Sequence, residues 1–391
     1  MSNTKETNTA LTTRFSRYID RHPLGALFGL FLLLYLLSFT LIYLQGVVQP
    51  TPWRAFYHYL LMIASYSIPV FVVIELEKLR HQSLLTSRIL LIVLSLASGL
   101  AFLVLFQSWQ LWVVPCILLS FLKRKLQPLA EELRTIGFGM LILVLGYGIN
   151  WNLNYFLALN ISDRLVDPLL WKIDLNIYSF FFGTKVSFEG IFPLLKDKGI
   201  FALLEAAYFA VLPEVVLVLT LKARQGKKGT QAFLVRLFSG YAIAAIWCFL
   251  FPSVGPCFVQ SSMDVAYQGS LTYSLMQGEV YEFNAVQHGL PLGGVAYFIA
   301  LPSMHVAVAA LLQILLRPTP ILFWAFLPVN ILSIASTVIL GYHYILDVPT
   351  GFMVTAFVFL PDWLASMRAA RNKGLVIFRN SSLSSQTRTK C

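Results

Sequence analysis

Apolar residues fill the chain in long blocks rather than narrow stripes. The blocks lie at about 24–48, 55–76, 88–106, 109–122, 136–158, 199–221, 231–252, 300–316, 319–341 and 346–366. A helix crossing a bilayer needs about 20 consecutive, mainly apolar residues, so the pattern predicts about ten helical spans in an all-α, polytopic transmembrane bundle. The fourth block is short and shares one tight turn, "QSWQ", with the third. An eight-span reading with a re-entrant third segment therefore stays open. The polar, basic N-terminus leads into a block long enough to span and shows no small-residue cleavage pattern. It predicts an uncleaved first helix.

Composition agrees with the pattern. Of 391 residues, 58% are hydrophobic and 12% charged, against about 25% charged in soluble domains. The net charge of +11 raises the question of nucleic acid, but excess Lys and Arg in a membrane protein report orientation. With ten spans and the N-terminus inside, one face collects Arg14, Arg17, Arg21, Lys78, Arg80, Lys123, Arg124, Lys125, Lys222, Arg224, Lys227, Lys228, Arg368, Arg371 and Lys373. That is the cytoplasmic bias, with both termini inside, and the cell (inner) membrane is the expected location. No nucleic-acid partner is expected.

Two longer connections then fall outside. The first, about 159–198, mixes aromatics with Asp and Lys and suits an amphipathic interfacial segment. Its Asn160-Ile161-Ser162 is a glycosylation sequon, meaningful only in a eukaryotic secretory host. The second, about 253–299, carries Asp264, Glu279, Glu282 and His288. Cys116, Cys248, Cys257 and Cys391 lack metal-ligand spacing, so neither zinc nor a disulfide framework is expected. No other metal or cofactor is expected either, because no carboxylate cluster at the outer face suits a divalent ion.

Candidate chemistry gathers in the last third. His343 and Asp347 stand four residues apart in "GYHYILDVPTG", and Ser303 and His305 two apart in "ALPSMHVAVAALL". Alone, the first pair reads as polar decoration at a helix end. From His305 the chain crosses the membrane, breaks at "RPTP" (317–320) and returns to His343. At about 1.5 Å per residue each half spans roughly the hydrocarbon core, so both histidines reach one face, the extracytoplasmic one. Asp347 can then hold the His343 imidazole in one tautomer. Pro302 fits the first turn of a helix, and Pro349 implies that the last helix begins only around Asp347. His288 reads as an ordinary loop histidine. Glu205 reaches water or serves function, and Glu214, deeper in its span, suits function or helix packing. Asn150, Asn152 and Asn154 suit head-group contact or interfacial hydrogen bonding.

"PSMH" followed by "STVILGYHYILDVPTG" resembles the second and third motifs of the type 2 phosphatidic acid phosphatase superfamily, and in particular its inositolphosphotransferase branch, which makes inositol phosphorylceramide. "FLFPSVGPCF" (249–258) and "LVDPLLWKIDLNIYSFFFG" (165–183) are similar to further segments of that branch. The likeness covers roughly 160–360 and implies a six-helix catalytic core. It implies that His343 attacks phosphorus to form a phosphohistidine, that Asp347 supports it, and that His305 serves as acid and base. Ser303 would donate to a non-bridging oxygen, and Gly255 would belong to the phosphate-binding segment.

The chain departs from the phosphatase pattern. Thr337 stands where an Arg is expected, six residues before His343, and no Lys-x6-Arg-Pro pattern appears near 249–258. A monoester dianion needs more positive charge than a diester anion, so the loss favours a phosphodiester lipid as donor. Arg54, Arg164, Lys172 and Lys185 are the candidate replacements. The expected organisation is a basic N-terminus (1–23), N-terminal spans (24–135), a catalytic domain (136–368) and a disordered tail (369–391). The expected function is transfer of a phospho-head-group from a phospholipid donor to a lipid or alcohol acceptor. Hydrolysis of phosphatidate or polyprenyl diphosphate, and a non-enzymatic transporter or scaffold, are the alternatives.

Overall fold

A computed structural model describes residues 23–44, 127–161, 163–182, 198–259, 270–290 and 297–386, with side chains up to 368. The second to fourth expected spans, Arg54 and Lys185 lie outside the described residues. Those described are helical, without strands. The helices are α1 (Pro23–Leu44), α2 (Gln127–Ile161), α3 (Asp167–Phe182), α4 (Lys198–Phe209), α5 (Val211–Arg224), α6 (Lys227–Leu250), α7 (Pro256–Val259), α8 (Leu271–Gln287), α9 (Met304–Leu316), α10 (Pro320–Ile339) and α11 (Asp347–Gln386). Among them, five segments are long and apolar enough to cross a membrane: 134–161, 198–224 (α4 with α5), 227–250, 320–339 and 347–368. This is a multi-pass membrane protein.

Helix α9 lies at the centre, against α5, α6, α10 and α11. Its residues Ala309, Leu312 and Leu316 are fully buried, in one apolar core with Phe233 and Leu234 of α6 and Val218 and Leu219 of α5. The helix starts after Ser303, whose extended backbone and side-chain oxygen, accepting from Val306 N at 3.4 Å, make an N-cap. Pro302 therefore precedes the cap rather than lying in the first turn. Helix α11 starts at Asp347, with the carboxylate in the first turn where the helix dipole favours negative charge. It continues to Gln386, through a tail expected to be disordered. The Ala-, Met- and Arg-containing stretch after Trp363 has good helix formers and no proline to stop it.

One polar group crosses this apolar interior. Asn330 Nδ2 of α10 donates to Glu214 Oε1 of α5 at 3.0 Å and to Gln313 Oε1 of α9 at 2.9 Å. Three helices are thereby clasped at one point, and Glu214 has a helix-packing partner.

The first turn of α11 runs hard against the α9 cap. A Cβ on Gly351 would lie 2.6 Å from Ser303 O and 2.8 Å from Val306 Cβ. Gly351→Val is expected to destabilise the protein by about 1–3 kcal/mol through overpacking. A thermal melt in detergent measures this, and an unchanged midpoint would refute the close approach.

Candidate active site

Three irregular segments meet at one end of the bundle: 251–255 after α6, 297–303 before α9, and 340–346 between α10 and α11. Backbone bonds tie them together. Ala300 N donates to Ser253 O at 2.9 Å, Ser303 N to Asp347 O at 3.2 Å, and His343 N to Thr337 O at 3.0 Å. Gly255 has φ 102°, and a Cβ there would lie 2.6 Å from Tyr342 O, so only glycine lets 251–255 approach 340–346 this closely.

His343 is buried at this junction. Its Nδ1 lies 2.9 Å from Ala300 O and 3.2 Å from Asp347 Oδ2, both acceptors. Nδ1 must therefore carry the proton in the neutral ring, which leaves the lone pair on Nε2. Asp347 is fully buried, and its Oδ2 also accepts from Tyr344 N at 2.9 Å. The His305 ring centroid stands 6.3 Å from that of His343. Its orientation comes from Tyr208 of α4, stacked on it at 3.9 Å, while Tyr342 stacks on Tyr208 at 4.4 Å. Ser303, two residues before His305, is buried and caps α9.

Helix α3 lies outside the five long spans and supports this junction. Asp167 Oδ1 accepts from Ser253 Oγ (3.1 Å), Val254 N (3.2 Å), Gly255 N (2.8 Å) and Tyr344 OH (3.1 Å). Burial raises its carboxyl above the usual range, and these bonds oppose the rise. Asp174 accepts from Ile345 N at 3.1 Å, and burial, reinforced by the nearby Asp347, pushes it up to about 7. On α8, burial pushes the half-buried Glu279 up to about 8, partly offset by a bond from the Tyr297 backbone.

The Asp174 value has a testable sign. An unfolded Asp titrates near 3.9, so between that value and about 7 the folded chain binds more protons than the unfolded one. The contribution is complete below the unfolded value and is lost as pH rises through about 7. Thermal midpoints taken across that interval should fall more steeply for the wild type than for Asp174→Asn. Parallel curves would refute it.

The other singled-out residues make their own contacts. Arg164 is exposed, 5.3 Å over the Phe249 ring, and donates to Asn160 O at 3.1 Å. Lys172 is exposed on the α3 face turned away from Asp174. Thr337 is buried and donates to Ile334 O at 2.7 Å. Asn154 is buried and accepts from Phe298 N at 3.0 Å, steadying 297–303, and Asn152 donates to Ser38 of α1 at 2.9 Å. Glu205 accepts from Thr272 N at 2.6 Å at the start of α8. His288 is exposed at the end of α8, its Nδ1 2.8 Å from Asn284 O. Among the described residues no group of three or more His, Cys, Asp or Glu could hold a metal ion.

Sequence reasoning did not find Asp167, Asp174, Tyr208 or Tyr344. Only the two aspartates left a signal. Seven residues apart, they share a helix face that excludes Lys172.

Residues 186–360 match the family model described as PAP2 superfamily. No curated protein and no solved structure matches the chain. The matched segment holds His305, His343 and Asp347 but begins after Asp167 and Asp174. The match supports the PAP2 superfamily for this chain, and with it an enzyme of the phosphatase or phosphotransferase type.

Proposed function

We propose that the chain is a membrane lipid phosphotransferase of the inositolphosphotransferase type, working through a phosphohistidine at His343. The observation that carries this reading is the tautomer: two acceptors at Nδ1 leave the Nε2 lone pair for attack. Nε2 attacks phosphorus of a phosphodiester lipid, and the bond from phosphorus to the glyceride oxygen breaks. His305 gives its proton to that oxygen, releasing diacylglycerol. An acceptor hydroxyl then loses its proton to His305 and attacks phosphorus, freeing His343. A covalent intermediate replaces one hard displacement by two easier ones. Asp347 stabilises the charge that grows on the imidazole, and Ser303 and Gly255 face the phosphate oxygens.

A diester donor, rather than a monoester, is supported by the buried Thr337 in the place of a cation. The ion-paired cations Arg224 and Lys227 also lie where α5 ends and α6 begins, at the opposite end of α6 from 251–255. That basic end suits the cytoplasmic side, so the site faces away from the cytoplasm. Arg54, Arg164, Lys172 and Lys185 are the cations proposed to help hold the donor, and the catalytic unit runs over 136–368.

The test uses purified protein in mixed micelles with phosphorus-labelled phospholipids and acceptors such as ceramide. Label entering a new lipid establishes transfer. Label released as inorganic phosphate would replace this reading by a lipid phosphatase.

A further inference from the structure

We infer that α3, upstream of the family-matched segment, is a splint for the reactive loop, and that Asp167, Asp174 and Tyr344 are positioning residues for His343. The inference rests on the reading of His343 as nucleophile.

Three buried carboxylates converge on two consecutive residues of 340–346. Asp347 accepts from Tyr344 N, Asp167 from Tyr344 OH, and Asp174 from Ile345 N. Asp167 also holds the amides of Val254 and Gly255 and the Ser253 hydroxyl, so one side chain fixes two site loops against each other. Tyr344, fully buried, joins the two halves. The contacts are remote in sequence: 86–88 residues separate Asp167 from 253–255, and 171 separate Asp174 from Ile345.

His343 immediately precedes the clamped dipeptide. Its ring reaches two fixed acceptors, Ala300 O and Asp347 Oδ2, only while the backbone of 343–345 stays put. A loop free to shift by about 1 Å can lose roughly 10²-fold in rate without losing substrate affinity. Nothing in α3 needs to touch substrate for this effect. Asp174 needs only to accept, so a neutral amide with one acceptor oxygen can replace it, whereas leucine cannot.

The test compares Tyr344→Phe, Asp174→Leu and Asp174→Asn with the wild type in the labelled-lipid assay, alongside hydrogen exchange of peptide 340–347. Tyr344→Phe removes one hydroxyl and keeps the ring, so it reports even where Asp174→Leu does not fold. We expect kcat to fall about 10-fold in Tyr344→Phe and roughly 10²-fold in Asp174→Leu, with KM within about twofold. Asp174→Asn should retain activity within about threefold, and exchange should rise only in the first two variants. Activity lost merely in proportion to folded protein, or Asp174→Asn as poor as Asp174→Leu, would overturn the splint. A wild type without His343-dependent activity would overturn the phosphohistidine reading instead. Exchange would then still decide whether α3 holds the loop.

Discussion

Replacing His343 by alanine is expected to reduce lipid phosphotransfer by about 10⁴-fold or more, to background. The loss follows from the lone pair left on Nε2 of a ring whose other nitrogen faces Ala300 O and Asp347 Oδ2. His343→Asn runs alongside, because its amide can still donate to Asp347 and so separates lost chemistry from lost folding. Wild-type protein quenched during turnover should carry acid-labile, base-stable phosphorus label, and both variants should carry none. Label retained in a well-folded His343→Asn protein would rule out the covalent route through this residue.

Asp347→Asn is expected to lower kcat by roughly 10²–10⁴-fold while the fold persists. Its Oδ2 accepts from both His343 Nδ1 and Tyr344 N, so an asparagine oxygen in that place preserves both contacts. The charge disappears, and with it, on the proposed phosphohistidine route, the stabilisation of the imidazolium-like state as His343 bonds to phosphorus. The amide nitrogen would take the place of Oδ1, a buried atom without a hydrogen-bond partner among the described residues. A modest loss of stability should therefore accompany the loss of rate. Rapid-quench measurement of phosphoenzyme formation checks this: the first chemical step should slow, with KM little changed. An Asp347→Asn enzyme as fast as the wild type would leave Asp347 a purely local helix cap.

The parts of the site legible in the sequence were those with short spacing. Ser303 and His305, or His343 and Asp347, announce themselves because two or four residues of chain fix their separation. Their convergence could be argued because α9 and α10 are apolar, broken once at "RPTP", and of matching reach, and the two rings lie 6.3 Å apart. The supports were illegible for the opposite reason. Asp167 meets Tyr344 across 177 residues, and no local spacing announces such a bond. Tyr208 looked like any aromatic in an apolar span, although it orients His305 by stacking. Likewise, 271–287 is polar enough to read as loop. The structure gives it an N-cap at Ser270 and a helix whose buried side includes Met276 and Ala285.

The Glu214 clasp bears on how the chain is made. Synthesis runs from the N-terminus, so α5 emerges with its carboxyl some hundred residues before Asn330 exists, the two being 116 apart in sequence. For that interval the nascent span offers a lipid bilayer an acid with no amide to meet it, a costly state at membrane depth. Glu214 gains its Asn330 partner only once α10 has been made and brought beside α5. In a ribosome-stalled chain ending before residue 330, a cysteine placed beside Glu214 should react with a thiol reagent, and in one carrying α10 it should be protected.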